Sequence, residues 1–306
     1  MPLPDALRGR LRLPVVAAPM FLASGPDLVT ACCRAGALGT FPALNRRTSA
    51  GFEAWIDEIE ARLGPGDAPW GVNLIVHRSN PRLAADLEIV VRRRVPVVIT
   101  SLGAVRELAR EVQAYGGLVF HDVVSRRHAE KAAEAGVDGI VAVCAGAGGH
   151  AGTLSPFALV PEIRQVFGGT ILLAGALSTG AHVLAARALG ADLAYMGTRF
   201  LATREAMAGA AQKEMMLAAR AGDVVHTPMV SGTPANFLRA SLAAAGIDPE
   251  AGPRPALDVE GEARAWKEVW SAGQGVGSID DLPGAGALCD RLAAEYAAAL
   301  AAVREA

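Results

Sequence analysis

Several large classes of protein leave marks that this 306-residue chain does not carry. Positive charge is not in excess: 29 Lys and Arg against 31 Asp and Glu leave a formal net charge of -2. That removes any electrostatic case for nucleic acid or an anionic membrane surface as a partner. No apolar run is long enough to span a bilayer, because even the alanine-rich C-terminal stretch is broken by Glu295 and Arg304. Met1 to Leu13 contains Arg and Pro and has no apolar signal core. The cysteines, Cys32, Cys33, Cys144 and Cys289, have neither metal-ligand spacing nor the density of a secreted disulfide framework, and read as reduced and mostly buried. There is no CxxC, HExxH or GxxxxGK[ST], so no metal site is expected. Lys131, Lys213 and Lys267 all fall in stretches with helical patterning, which leaves no convincing Schiff-base amine. These absences predict a soluble, cytoplasmic protein acting on a small molecule, with its oligomeric state left open.

What is abundant is apolar sequence in short pieces. Hydrophobic residues make up 52% of the chain and charged ones 20%, the balance of a globular protein with a sizeable core. Eight short runs read as strands buried on both faces: Val15 to Met20, Leu38 to Ala43, Trp70 to Val76, Val95 to Thr100, Leu118 to Val123, Gly139 to Val143, Ile171 to Ala176 and Leu193 to Met196. Helical patterning separates most of them, as in Phe52 to Leu63, Pro81 to Arg93, Arg126 to Ala135 and Ala181 to Leu189, and a long helix is expected over 204–221. Eight parallel βα units are what a (β/α)₈ TIM barrel requires, and an open doubly wound sheet is the alternative. The rhythm then breaks. From 222 to 261 the chain is polar and punctuated by Pro228, Pro249, Pro253 and Pro255, with one helical piece at 234–245. We expect a barrel over 1–204, an irregular and helical C-terminal addition over 205–280 covering the strand C-terminal ends, and a closing helix over 281–306.

The chain is organised around Cys144-Ala145-Gly146-Ala147-Gly148-Gly149-His150-Ala151-Gly152, directly after the sixth run. Four glycines let backbone approach a ligand closely, and the imidazole is the one side chain there able to exchange a proton near neutral pH. The plainer reading is a flexible turn with an incidental histidine. Gly146-x-Gly148-x-x-Ala151 also meets the loosest dinucleotide fingerprint, but Thr153 to Pro156 reads as a loop and no acidic residue falls near position 168. In a barrel, ligands bind where strands end, and a phosphate site is often built after strands seven and eight. Gly175-Ala176-Leu177-Ser178 and Gly197-Thr198 occupy those places, with small residues that expose amides and a Thr198 hydroxyl as donor. His77 and His121 lie near strand ends and are candidates to line the pocket. His128 and His182 fall in helices and are expected at the surface. Arg92, Arg93 and Arg94 read as a helix-end cluster.

Three segments carry a resemblance. AAPM at 17–20, AGGHAG at 147–152 and GADLAYMGTRFLAT at 190–203 resemble the FMN-dependent nitronate monooxygenase (2-nitropropane dioxygenase) family, supported by GVNLIVH at 71–77 and WSAGQGVG at 270–277. The resemblance implies an FMN cofactor lying across the strand ends. Ala18, Pro19, Met20 and Asn73 would flank its ring system, and Gly148 and Gly149 would approach it. Gly175, Ala176, Leu177, Gly197 and Thr198 would hold its phosphate, and His150 would be the base. Trp266 to Gly277 would fold back as a pocket wall, with Gln274 able to hydrogen-bond ligand. Some relatives carry a flavin-contacting lysine in the fifth strand, where this chain has Leu118. The implied reaction is oxidation of alkyl nitronates by O₂ to a carbonyl compound and nitrite. Flavin-dependent enoyl thioester and quinone reductases using NAD(P)H share the same motifs, so that activity stands as the alternative.

Overall fold

The computed structural model describes residues 3–103, 105–251 and 259–305; the expected breaks at Pro253 and Pro255 lie outside them. Eleven strands occur among these residues: β1 Val15–Ala17, β2 Leu38–Pro42, β3 Trp70–Ile75, β4 Val97–Ser101, β5 Leu118–Val123, β6 Gly139–Val143, β7 Gly149–His150, β8 Thr170–Ala174, β9 Leu193–Met196, β10 Val224–Thr227 and β11 Ala235–Leu238. Eight of them form a closed parallel barrel in the order β1-β2-β3-β4-β5-β6-β8-β9, and β9 pairs back onto β1 through Val16 opposite Tyr195. This is the (β/α)₈ barrel that the eight apolar runs predict.

The strands read as unbroken apolar runs because both faces are buried, and residue parity decides which core each side chain joins. In β4, Val97 and Ile99 point into the barrel while Val98 joins the layer beneath the helices. In β8, Leu172 points inward and Ile171 and Leu173 outward. The outer layer is sealed by helices with hydroxyl caps, such as Ser125 accepting from His128 N–H and Thr179 from His182 N–H. All four cysteines are free and buried. Arg92 and Arg93, at the end of the helix Leu83–Arg92, reach across to Glu53, Asp57 and Glu60 of the helix Ser49–Arg62.

Three expectations need correcting. A helix over Pro156–Val166 follows β6, where the sequence pattern gave none: Ser155 caps it and Pro156 opens it, but Pro161 inside it masks the signal. The long helix over 204–221 is instead shortened to Ala210–Ala218, and the residues before it are tied elsewhere, Arg204 N–H donating to Pro283 O and Met207 N–H to Ala23 O. Half of the piece at 234–245 is likewise not helical. Ala235–Leu238 is the centre of a small antiparallel sheet, β10-β11-β7, and only Arg239–Ala244 is helix. Among the described residues no helix is long and apolar enough to cross a membrane.

The final helix, Ala285–Glu305, packs against the helix Gly180–Ala188, and Glu295 accepts the Gly180 N–H at 2.7 Å. A Cβ on Gly180 would collide with the backbone of Leu292 and Tyr296. Gly180→Ala is therefore expected to lower stability by about 1–3 kcal/mol through overpacking, measured by denaturant unfolding.

Candidate functional site

The C-terminal ends of the barrel strands surround one large cavity of about 1520 Å³. The topology brings most of the sequence candidates to it. Ala18, Pro19 and Met20 line it after β1, and Asn73 from within β3. Gly148, Gly149 and His150 form its wall after β6; Gly175, Ala176 and Leu177 do so after β8, and Gly197 and Thr198 after β9. His77 and His121 also line it. Gln274 does not: it is exposed, and its N–H donates to Gly146 O at 2.8 Å.

The glycine segment is part strand. Gly149 and His150 pair with Asn236 and Ala235 of β11, which fixes the histidine on a sheet instead of a free turn. Gly149, at φ 74, holds a left-handed conformation that suits glycine, and its N–H donates to Ser271 Oγ at 2.6 Å. Asn236 Nδ2 donates to Ala147 O at 2.6 Å. Residues 271–278 press on the same turn so closely that side chains would not fit: a Cβ on Gly273 would lie 2.6 Å from Gly146 O, and one on Gly148 would lie 2.9 Å from Gly273 N. Trp266 then stands edge-on to the His150 ring, with centroids 5.5 Å apart, and is itself backed by Phe237.

Opposite ends of the cavity differ in kind. On the β8–β9 side the backbone offers amides. Ala176 takes the unusual φ of 55 for a non-glycine residue, and its own N–H is committed to Gly146 O at 3.2 Å. Ser178 N–H is taken by His182 Nδ1 at 3.0 Å, so His182 is a half-buried turn-locking residue and not the surface histidine expected. Among the described residues, the amides of Leu177 and Thr198 have no such internal acceptor. Thr198 Oγ1 accepts from Gly273 N–H at 2.8 Å, which leaves its proton to donate. Arg199 points away, buried, onto Asp281 at 2.9 Å. A Cβ on Gly197 would meet Ala18 and Met20 at an ordinary 3.8 Å, so protein packing does not demand that glycine.

The floor is a polar chain. Asn73 Nδ2 donates to Ile99 O at 3.2 Å and to Ser101 Oγ at 2.9 Å, and that hydroxyl donates to Asp122 Oδ2 at 2.5 Å. Asp122 Oδ1 is buried without a hydrogen-bond partner among the described residues. Burial pushes the Asp122 carboxyl up to about 6, against the opposing pulls of the Ser101 hydrogen bond and the nearby His150 ring. Beside it, burial lowers His121 to about 4, helped by His128 and opposed by a hydrogen bond to Thr100. Thr100 Oγ1 lies 2.8 Å from His121 Nδ1 and 3.2 Å from Phe120 O, which anchors the ring against β4. Burial, with the Asp122 charge adding to it, raises the Tyr195 phenol well above its ordinary value. Leu118 sits in the barrel interior below the cavity. Sequence reasoning missed Ser101 and Tyr195 as parts of this site, while Ser271 and Trp266 lie in the 266–277 stretch expected to form a pocket wall. Only alternation along β4 and β9 could have flagged the first two.

Fold and site together define a barrel enzyme with its ligand cavity roofed at the strand C-terminal ends. The chain belongs to the nitronate monooxygenase family, whose model matches residues 9–295. That family is one of flavin-dependent oxidoreductases. Among similar proteins are two named (3aS,4S,5R,7aS)-5-hydroxy-7a-methyl-1-oxo-octahydro-1H-indene-4-carboxyl-CoA dehydrogenase. The Rhodococcus jostii one is 30% identical, with 75% of this chain and 63% of that protein covered. The Mycobacterium tuberculosis one is 31% identical, with 75% and 64% covered. The chain thus spans under two thirds of their length. A nitronate monooxygenase from Paraburkholderia phytofirmans is 26% identical over 79% of this chain and 78% of its own. The solved nitroalkane oxidase from Streptomyces ansochromogenes superposes with a TM-score of 0.82 at 27% identity, covering 98% of this chain and 100% of that one.

The two shifted groups make opposite demands on stability. Asp122 keeps its proton in the fold to about 6 from an ordinary 3.8, so its contribution is present below pH 3.8 and is lost as pH rises to 6. His121, lowered from 6.5 to about 4, contributes above pH 6.5 and loses that contribution as pH falls to 4. Asp122→Asn removes only the first effect. Its melting temperature relative to wild type is expected to climb between pH 4 and 6 and then level off, read by thermal unfolding across pH 4 to 8.

Proposed function

We propose that the chain is an FMN-dependent enzyme that oxidises alkyl nitronates with O₂ to a carbonyl compound and nitrite. The observation carrying this reading is His150: a titratable ring fixed by β7–β11 pairing on the wall of a cavity whose opposite turns offer amides to an anion. The residues fit FMN by chemistry. The Leu177 and Thr198 amides and the Thr198 hydroxyl suit its phosphate, the lack of a side chain at Gly197 suits its approach, and Ala18, Pro19, Met20 and Asn73 flank the place for the ring system. Asn73 spends its Nδ2 on Ile99 and Ser101, so Oδ1 is what it can present to a ligand N–H. Bound there, FMN supplies the redox chemistry that carries electrons from substrate to O₂.

The protein's own part is positioning and proton transfer. For a neutral nitroalkane, His150 removes the proton on the carbon α to the nitro group, a task suited to an imidazole near neutral pH. Trp266 standing edge-on to the ring limits its swing, and residues 271–278 pack against the turn that carries it and hold that turn in place. A preformed nitronate has already lost that proton and asks less of the base. His77 and His121 are proposed as pocket-lining groups; His121, neutral at physiological pH, offers a hydrogen bond and not a charge.

A second reading, an NAD(P)H-dependent FMN reductase of an enoyl thioester or quinone, is favoured by the likeness to proteins named as carboxyl-CoA dehydrogenases. Anaerobic addition of NADH or NADPH separates the two, since rapid flavin bleaching belongs to the reductase alone.

The test is His150→Ala with flavin content measured in parallel. The variant should retain FMN, lose roughly 10²–10⁴-fold in kcat/KM on neutral nitroalkanes, and keep much more of its activity on nitronates, with nitrite release as the readout. Equal wild-type and variant rates on the nitroalkane would remove His150 as the base. A purified protein that is colourless and gains no flavin absorbance with FMN would remove the cofactor assignment.

A further inference from the structure

The cavity has a second anion-seeking side that the FMN assignment leaves unused. Its mouth after β2, β3 and β4 is lined by Arg46, Arg47, Arg78 and Arg106. All four are exposed, and among the described residues none makes an ion pair. Arg46 lies over the Trp55 ring at 5.2 Å, which holds its guanidinium in place without neutralising it. The neighbouring charges do not cancel the four. Asp86 is buried and tied to Arg82 at 2.9 Å, and Glu134 lies one helical turn from Lys131, the two offsetting each other at the rim. In a chain of formal net charge -2, four uncompensated arginines around one opening are a local concentration and not a reflection of overall composition.

Their position separates them from the amide-rich turns. The closed strand order puts β3 across the barrel from β8 and β4 across from β9. Arg78 and Arg106 follow β3 and β4, while Leu177 and Thr198 follow β8 and β9. One phosphate held at the β8–β9 turns therefore leaves the arginine side open for another anion. Guanidinium forks match phosphate oxygens in pairs, and several unpaired forks around one opening suit several phosphoryl groups.

We propose that this rim binds the nucleoside diphosphate group of the enzyme's organic substrate or co-substrate. The reacting end then extends under the roof toward His150. This rests on the cavity being the active site, and it extends the reading above from small nitronates to ligands carried on a phosphorylated tail. Two sources share that chemistry, a coenzyme A thioester and a nicotinamide dinucleotide, and they are told apart by testing both.

Isothermal titration of the protein, after incubation with FMN, with coenzyme A and separately with NADH is the test. At least one should bind, more weakly at 0.3 M than at 0.05 M salt, and the Arg47→Ser/Arg78→Ser/Arg106→Ser variant should weaken that binding by about tenfold or more. Arg110→Ser, exposed on the helix Arg106–Ala114 but outside the cavity lining, serves as the charge control and should leave binding unchanged. Binding of coenzyme A alone assigns the tail to a thioester substrate; binding of NADH alone assigns it to a hydride donor. No heat with either ligand, or binding that the triple variant leaves intact, overturns the proposal. Flavin content is read on the same samples, so a colourless protein that still binds through its arginines defeats the FMN reading and not this one.

Discussion

The contact on which the site depends is backbone against backbone, between the turn after β6 and the segment 271–278. Gly146 O receives the amides of both Ala176 and Gln274, at 3.2 and 2.8 Å, so one carbonyl joins the histidine turn, the turn after β8 and the roof. The spacing leaves no room for a Cβ on Gly273 or Gly275, the latter lying 2.5 Å from Ser178 Oγ in such a case. Buried backbone groups must find partners, and here they find them in one another. Ser178 Oγ donates to Gly275 O at 2.8 Å and Thr198 Oγ1 accepts from Gly273 N–H at 2.8 Å, which extends the lock to the turns on the β8–β9 side.

From that lock the chemistry of the cavity follows. With the turn fixed, β7 pairs with β11 and His150 is carried on a sheet edge, backed by Trp266 and Phe237. The barrel contributes the floor: Asn73, Ser101 and Asp122 come from three adjacent strands and meet through two hydrogen bonds of 2.9 and 2.5 Å. The roof and the floor therefore hold different groups. The aromatic wall of Trp266 and Phe237 comes from the sequence-distant addition, whereas His150 sits in the turn after β6 and the carboxyl and amide come from the barrel strands. The two perturbed groups, Asp122 on the inner face of β5 and His121 next to it on the outer face, owe their shifts to one cause, removal from water.

Much of the fold is legible in the chain because doubly buried parallel strands leave an apolar run of fixed length, and β5 and β6 fall where those runs fall. The glycine and histidine segment was legible for a similar reason: four glycines in nine residues have few other uses. Pro161 hid the helix that it sits inside. The apolar stretch at 234–245 carried no strand signal that could outweigh its alanines, since β11 exists through partners far away in sequence, Gly149 and His150 on one side and Val225 and His226 on the other.

The sequence by itself determined the eight parallel βα units, their order in the chain and which turns are built of small residues, because periodicity and glycine content are local properties, whereas closure came from β9 pairing with β1. Tertiary structure alone decided which amides at those turns stay unspent, that Ala176 gives its own to Gly146 while Leu177 and Thr198 keep theirs. It alone set the protonation of Asp122 and His121, because desolvation depends on everything packed around a group and not on its neighbours in the chain. It also gathered Arg46, Arg47, Arg78 and Arg106 from two loops and a helix start onto one rim, since closing the barrel brings together ends that the linear chain keeps apart.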